Sequence, residues 1–176
     1  MFIYSYAGAD GETVTEMSPT DDPESSPRVA KLVHAEAVCL KSGGCCLRLA
    51  GLYTLERGAH SYWLKSGKEI QGRKDGIINL LHYDDAAGAC LAALKVGATV
   101  TASTVFLVSD GNPTTRRGIV DSALKSKLFS GMADPGFLGT KGEGGAMGKI
   151  YDGSFTNQAL KWKPRYPSFD HFMSTQ

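Results

Sequence analysis

Polar residues that could do chemistry follow the short apolar runs of this sequence. His82 comes directly after the run Ile77–Leu81 and two residues before the pair Asp84-Asp85, and the polar stretch Ser109–Asn112 follows Val105–Val108. Parallel sheets bind ligands beyond the carboxyl ends of their strands, so these positions are expected to face a crevice. A histidine in the crevice wall could exchange protons with a ligand. The same pattern also fits an aspartate that caps the next helix and a histidine bonded to nearby backbone.

A second group of candidates is polar and basic. Arg57, His60, Tyr62, Lys65 and Arg73 surround a predicted helix over Leu55–Leu64. Such side chains could bind a phosphate or carboxylate substrate. The solvated face of a surface helix explains them equally well.

The sequence contains no complete catalytic or phosphate-binding motif among those tested below. Gly142, Gly145 and Gly148 match G-x-x-G-x-x-G, but the flanking residues predict neither the preceding strand nor the following helix that a pyrophosphate loop needs. A surface loop is therefore the better interpretation. The sequence also contains no G-x-S-x-G elbow, no H-E-x-x-H and no Walker loop.

Composition excludes several classes of protein. The chain of 176 residues has a net charge of +1, with scattered Lys and Arg, which argues against nucleic acid as a partner. No apolar run approaches the roughly 20 residues of a membrane helix. Cys39, Cys45, Cys46 and Cys90 contain no C-x-x-C pair, so no metal site is expected. We expect small buried thiols in a reducing compartment, cytoplasmic or organellar, since the short N-terminal apolar stretch is no secretion signal.

Apolar runs alternate with helical patterns along the chain, which predicts an α/β fold with a parallel sheet. Pro27 should open a helix that ends at Ser42-Gly43-Gly44. Asp84 or Asp85 should cap an Ala-rich helix over Ala86–Lys95. The other predicted strands are Phe2–Ser5, Cys45–Leu49, Ile77–Leu81 (interrupted by Asn79) and Val105–Val108. The other predicted helices are Leu55–Leu64, Asn112 to about Phe129, Phe155–Lys161 and Phe169–Met173.

Four pieces of the sequence, taken in order, resemble one family. They are LRLAGLY (47–53), NLLHYDDAA (79–87), FLVSDGNPTTR (106–116) and GKIYDGSFTNQALKWKPRYPSFDHFM (148–173). The chain is similar to the C-terminal half of extended and atypical short-chain dehydrogenase/reductases, the NAD-dependent epimerase/dehydratase-like group. This resemblance implies a partial Rossmann-like, doubly wound parallel sheet with a small C-terminal helical substrate lobe.

The resemblance also implies site residues and ligands. NAD or NADP would be the cofactor, provided that a nucleotide-binding part is supplied, and the substrate would be a small molecule of the nucleotide-sugar kind. The implied cofactor-binding residues are Ser5, Tyr6, Ala50, Gly51, Leu52 and Tyr53, and the implied substrate-binding residues are Arg57, His60, Asn79 and His82.

The sequence departs from the family at the catalytic positions. Arg28 and Leu32 occupy the positions of the Tyr and Lys of the Y-x-x-x-K motif, and Lys31 is one residue out of register. Arginine and leucine cannot replace a phenol that transfers a proton and the lysine that lowers its pKa. We therefore expect no catalytic residue here, and weak or no catalysis. The alternative is a non-catalytic binding or interaction module that retains the substrate lobe.

The resemblance divides the chain, and it predicts an exposed edge. Residues 1–176 should form a single unit, with Rossmann-like elements in 1–52 and 77–112 and a substrate-side lobe in 53–76 and 113–176. The glycine fingerprint and the first strands of the family have no counterpart before Met1. We expect an N-terminally incomplete domain whose open sheet edge is covered by a partner or a second copy.

Overall fold

Parallel strand pairs and helices alternate in the computed structural model, which describes residues 6–139 and 145–176. The strands are β1 (Thr13–Val14), β2 (Cys46–Leu49), β3 (Gly51–Tyr53), β4 (Ile70–Arg73), β5 (Ile77–Ile78), β6 (Leu80–His82), β7 (Val105–Val108), β8 (Thr114–Thr115), β9 (Phe137–Gly139) and β10 (Ile150–Tyr151). The helices are α1 (Pro27–Lys41), α2 (Ala59–Ser66), α3 (Tyr83–Val96), α4 (Ala98–Thr101), α5 (Arg116–Ala123), α6 (Ser154–Leu160) and α7 (Phe169–Ser174).

The strand pairing confirms the predicted α/β class. Parallel pairs form between β1 and β10, β2 and β7, β3 and β6, and β4 and β9, while β5 and β8 are antiparallel. The predicted strand Phe2–Ser5 lies outside the described residues. Within those residues, no helix is both long enough and apolar enough to cross a membrane.

The chain changes strand partners at the end of β2. The Ala50 amide donates to the Val108 carbonyl at 2.9 Å, and the next amide, that of Gly51, donates to the Asn79 carbonyl at 3.0 Å. A Cβ at Gly51 would lie 3.1 Å from that same Asn79 oxygen. Gly51 therefore lets two strands approach closely where the sheet passes from β7 to β6.

One face of the sheet is covered by α3. Ala86, Ala89 and Ala93 of this helix pack on Phe106 and Val108 of β7. Small side chains on the buried face let the helix lie close to the strands. A second core lies around α5 and α7, where Tyr53 and other buried side chains meet; its other large members are Leu64, Ile70, Leu80, Ile119, Val120, Phe129, Phe169, Phe172 and Met173.

The opposite face of β2 carries a buried charge. Arg48 donates from Nε and Nη2 to the two carboxylate oxygens of Glu36 on α1, at 2.9 and 2.6 Å. Its Nη1 donates to the Tyr6 hydroxyl at 3.2 Å and to the Glu16 carbonyl at 3.3 Å. Burial lowers the pKa of Arg48, but the bonds to Glu36 and Tyr6 outweigh it and raise that pKa above its ordinary value. Arg48 therefore stays charged and joins α1 to β2 and to the N-terminal loop.

Most predicted elements are confirmed, with shifted ends. The helix at Pro27 begins there because the Ser26 side chain accepts the Val29 amide, as an N-cap does. The helix predicted from Leu55 begins only at Ala59, because Gly58 takes the extended, positive φ of 139°. The predicted strand Ile77–Leu81 divides at Asn79 into β5 and β6.

The predicted cap of α3 was wrong. His82 is the N-cap, and its Nδ1 accepts the Asp84 amide at 3.1 Å. The Asp85 carboxylate instead accepts the amides of Arg165 and Tyr166, at 2.6 and 3.1 Å. Asp85 therefore fixes the C-terminal segment onto α3 rather than starting that helix.

We predict that Glu36→Ala lowers the free energy of unfolding by about 3 kcal/mol, because it removes the carboxylate of a buried ion pair and leaves its partner charged. Side-chain exposure is 8% for Arg48 and 12% for Glu36. Urea unfolding followed by circular dichroism measures the change. Lys31→Ala, an exposed site on the same helix, is the control and should change stability little. An equal effect of the two substitutions would contradict the prediction.

Candidate functional site

A cavity of about 500 Å³ lies beside Gly51, just beyond the end of β2. Segments distant in sequence supply its walls: Tyr6, Asp10 and Asp21 from the N-terminal loop, Ile77–Asn79 and Arg116 from the centre, and Ala146, Gly148, Lys149 and Tyr151 from the C-terminal part. The cavity follows the end of β2 but lies at the start of β3 and β6. His82 and Ser109–Asn112, which the sequence placed in a crevice at the carboxyl ends of the strands, are not among its lining residues.

Two loops are joined at the side of the cavity. The Asp10 carboxylate accepts the amides of Met147 and Gly148 at 2.9 and 3.3 Å, and the Met147 bond is the main cause of the lowered pKa of Asp10. The Lys149 ammonium donates to the Gly8 carbonyl at 2.8 Å. These reciprocal contacts hold the N-terminal loop against the segment before β10.

Asn79 uses both ends of its amide to hold β10. Its Nδ2 donates to the Lys149 carbonyl at 2.7 Å, and its Oδ1 accepts the Tyr151 amide at 2.9 Å. Asn79 thus interrupts the strand predicted over Ile77–Leu81 and binds a segment about 70 residues away, since the partners are 70 and 72 positions distant. Its role as a substrate ligand stays a prediction.

Two tyrosines form an aromatic wall of the cavity. The rings of Tyr6 and Tyr151 meet edge to face, with centroids 5.5 Å apart. Burial raises the pKa of Tyr6 and raises that of Tyr151 to about 12. Both phenols are therefore protonated at neutral pH.

Arg116 supplies positive charge to the cavity. Its Nη1 donates to the Arg73 carbonyl at 3.3 Å. Burial is the main cause of its lowered pKa, and repulsion by Arg73 adds to it. Sequence reasoning missed Arg116, Lys149, Asp10 and Tyr151 as neighbours of Gly51. The N-P-T-T-R-R turn after β7 was the one signal for Arg116, because it follows a strand at the expected edge.

The structure places the five described members of the predicted cofactor-binding set in different surroundings. Tyr6 and Gly51 both line the cavity. Ser5 lies outside the described residues. The remaining three are buried or half-buried in the cores: Ala50, Leu52 and Tyr53. Cofactor binding by these residues stays a prediction.

His82 lies in an aromatic cluster rather than among the cavity residues. It is 5% exposed, and its ring centroid lies 4.4 Å from that of Tyr166, 4.7 Å from Phe172 and 5.3 Å from Tyr53. Burial lowers its pKa. His82 thus bonds nearby backbone, as one of the two interpretations held, although the aspartate cap of that interpretation is absent. Its role as a substrate ligand stays a prediction.

The polar-basic group around α2 does not form one site. His60 is buried against Phe129 and Phe169, with Nε2 2.9 Å from the Leu55 carbonyl. Arg73 pairs with Asp75 in a two-bond ion pair. The other three members, Arg57, Tyr62 and Lys65, are exposed and line a shallow surface depression. The predicted substrate roles of Arg57 and His60 stay predictions.

A buried carboxyl lies at the end of β7. Asp110 is 5% exposed; Oδ1 accepts the Asn112 amide at 2.9 Å, while Oδ2 has no hydrogen-bond partner among the described residues. Burial raises the pKa of Asp110 to about 7, and the nearby charge of Asp85 adds to the rise.

The cysteines are free thiols, and they are less buried than expected. Cys39, Cys45 and Cys46 are half-buried and Cys90 is exposed. Within residues 6–139 and 145–176, no group of three or more His, Cys, Asp or Glu side chains is placed to bind a metal ion. Of the three spaced glycines, Gly142 lies outside the described residues, and the Gly148 carbonyl accepts the Gly11 amide.

Comparison with solved structures confirms the Rossmann-like fold. No protein family and no curated protein matches the sequence. The dTDP-glucose 4,6-dehydratase of Bacillus anthracis in complex with NAD matches with a TM-score of 0.72 and 16% identity, over 98% of this chain and 57% of that one. UDP-glucose 4-epimerase of Thermotoga maritima with UDP-glucose matches with a TM-score of 0.75 and 18% identity, over 98% of this chain and 58% of that one. MoeE5 in complex with UDP-glucuronic acid and NAD matches with a TM-score of 0.76 and 19% identity, over 97% of this chain and 60% of that one.

These matches define the class of fold and its limits. The three solved proteins include an epimerase and a dehydratase of the kind that the sequence resembles. The chain spans 57 to 60% of their lengths. At 16 to 19% identity the similarity establishes a shared fold, that of NAD-dependent epimerase/dehydratase structures, and no more.

We predict that Asp110→Asn stabilises the protein above pH 7. The folded pKa of about 7 exceeds the reference value of 3.8, so stability from the neutral acid is full below 3.8 and lost as pH rises to 7. The amide stays neutral, and it should gain about 1 to 3 kcal/mol over wild type at pH 8 and much less at pH 5. Urea unfolding at both pH values measures this.

Asp121→Asn is the matched control for this prediction. Asp121 is exposed and pairs with Arg117, so replacing it should not raise the free energy of unfolding at pH 8. If Asp110→Asn destabilised the protein equally at both pH values, the buried carboxyl would not be the cause of the pH dependence.

Proposed function

We propose that this chain forms the substrate side of an NAD(P)-binding epimerase/dehydratase-like protein and binds a nucleotide sugar. The observation that carries the proposal is the cavity beside Gly51, after the end of β2, in a fold shared with a dehydratase and an epimerase. Its volume of about 500 Å³ is in the range of small-molecule sites. Its lining combines charged side chains (Asp10, Arg116) with apolar ones (Ile77, Ile78), which suits a polar ligand with an apolar face.

Chemistry in the cavity supports binding more strongly than catalysis. The protonated phenols of Tyr6 and Tyr151 are poor proton acceptors at neutral pH, because burial raises both pKa values. Arg28 and Leu32, at the positions of the catalytic pair, are respectively exposed and half-buried on α1, and neither is among the lining residues. We therefore propose weak or no catalysis by these 176 residues.

NAD or NADP is the cofactor of the proposal, and it requires a nucleotide-binding part in addition to this chain. The dehydratase and MoeE5 were both solved in complex with NAD, and this chain spans 57 and 60% of them. From these residues, Tyr6 and Gly51 would contact the nicotinamide side, since both line the cavity. Tyr6 and Gly51 would bind the cofactor and orient it.

A non-catalytic binding module is the second candidate function. Two observations favour it: Arg28 and Leu32 stand in place of the catalytic Tyr and Lys, and His82 is buried among aromatic side chains. The two candidates differ in cofactor binding. Calorimetric titration with NAD(H) and NADP(H), carried out on this chain together with a nucleotide-binding part, separates them. Micromolar binding supports the first candidate, and no binding at millimolar concentration supports the second.

We predict that Ala146→Trp abolishes binding of UDP-glucose or dTDP-glucose in calorimetric titration. Ala146 is exposed and lines the cavity, so an indole there would fill the space needed by a ligand without disturbing a core. Ala37→Trp, at an exposed site on α1, is the matched control and should bind as wild type does. Absence of binding by the wild type to either sugar nucleotide would overturn the proposed function, as would unchanged binding by Ala146→Trp.

A further inference from the structure

Arg116 occupies a prepared position at the edge of the cavity. Its backbone amide donates to the Gly76 carbonyl at 3.0 Å, and its Nη1 donates to the Arg73 carbonyl at 3.3 Å. A Cβ at Gly76 would overlap Nη1, so only glycine leaves room for the guanidinium there. The turn between β4 and β5 thus holds Arg116 from two sides.

The charge of Arg116 is not matched by a neighbouring carboxylate. Asp75, whose charge raises the pKa of Arg116, is bound by the Nε and Nη2 of Arg73 at 2.7 and 2.8 Å. In the part of the chain that the structure describes, no carboxylate forms an ion pair with Arg116. Arg73 thus binds both oxygens of Asp75, and Arg116 remains a half-buried cation that an anion would stabilise.

The remaining cavity cation is already used. The Lys149 ammonium donates hydrogen bonds to the carbonyls of Gly8 and Ala9 in the N-terminal loop, at 2.8 and 3.3 Å. Asp10 lies on the same side and is bound by the amides of Met147 and Gly148. Lys149 and Asp10 are thus both engaged by backbone groups of the protein, whereas Arg116 forms no ion pair with a carboxylate of the described residues.

We propose that Arg116 is the oxyanion-binding residue of the cavity and contacts a phosphate or carboxylate group of the ligand. Guanidinium nitrogens bind such oxygens in a two-bond, planar arrangement that a lysine cannot reproduce. This inference rests on the proposed function for the identity of the ligand. The geometry of Arg116 also makes it testable with a simple anion.

The first test uses sugar nucleotides. In calorimetric titration, Arg116→Gln should weaken binding of UDP-glucose or UDP-glucuronic acid about tenfold or more, the loss of one charged hydrogen-bonded contact. Arg117→Gln is the matched control, because Arg117 pairs with Asp121 and Asp134 and does not line the cavity. Gly76→Ala should lower affinity as Arg116→Gln does, since it displaces the guanidinium while leaving its charge.

The ligands distinguish the source of the oxyanion. A loss for both sugar nucleotides indicates a phosphate contact, and a loss confined to UDP-glucuronic acid indicates its carboxylate; either result supports the proposal. Equal affinities for Arg116→Gln and Arg117→Gln would overturn it.

The second test does not need the proposed function. Titration of labelled protein with inorganic pyrophosphate should shift the Nε–H resonance of Arg116 saturably and leave that of Arg117 in place. If the wild type binds no sugar nucleotide, the proposed function fails, and this titration alone decides the role of Arg116. An unmoved Arg116 resonance would then reject it.

Discussion

The ion pair between Arg48 and Glu36 is the constraint on which the rest of the structure depends. A buried guanidinium must satisfy its donors, and Arg48 does so on α1, on Tyr6 and on the Glu16 carbonyl. The Glu16 carboxylate then accepts the Thr156 hydroxyl at 2.8 Å, and Thr156 Oγ1 accepts the Leu107 amide at 2.8 Å. One connected set of bonds thus joins α1, β2, the N-terminal loop, α6 and β7. Because Tyr6 belongs to this set, the position of one cavity wall follows from the position of a charge in the sheet.

The other side of the cavity depends on polar groups that replace strand pairing. Asn79 holds β10 with both ends of its amide, and Asp10 and Lys149 join the loops that flank it. β1 and β10 themselves pair over two residues each, which is too short to fix a loop by backbone bonds alone. Side chains with matched donors and acceptors therefore determine the shape of the cavity, and they are occupied in doing so. Arg116 differs because its bonds go to backbone carbonyls and leave its charge unmatched.

The sequence predicted elements well and the site incompletely, for a physical reason. α1 and β7 carry local signals, a proline and serine at a helix start and a continuous apolar run, and both lie where those signals predict. The cap of α3 was misassigned because aspartate and histidine can both accept an amide at that position, and Asp85 instead reaches partners 80 and 81 residues away. The same limit explains the cavity. Asp10 and Met147 are 137 residues apart, and no local pattern predicts their contact.

The titratable groups indicate what kind of ligand the cavity suits. The carboxyl whose pKa lies near neutrality, Asp110, belongs to the buried region beside Asp85 and not to the cavity lining. In the cavity, burial keeps Tyr6 and Tyr151 protonated, whereas backbone amides lower the pKa of Asp10 and keep it ionised. At neutral pH the lining thus contains a carboxylate, Asp10, that backbone amides already bind, and a guanidinium, Arg116, that forms no ion pair with a carboxylate among the described residues. A ligand with a negative charge would match this lining best, because it would supply the anion that Arg116 lacks, and a sugar joined to phosphate or bearing a carboxylate has that chemistry.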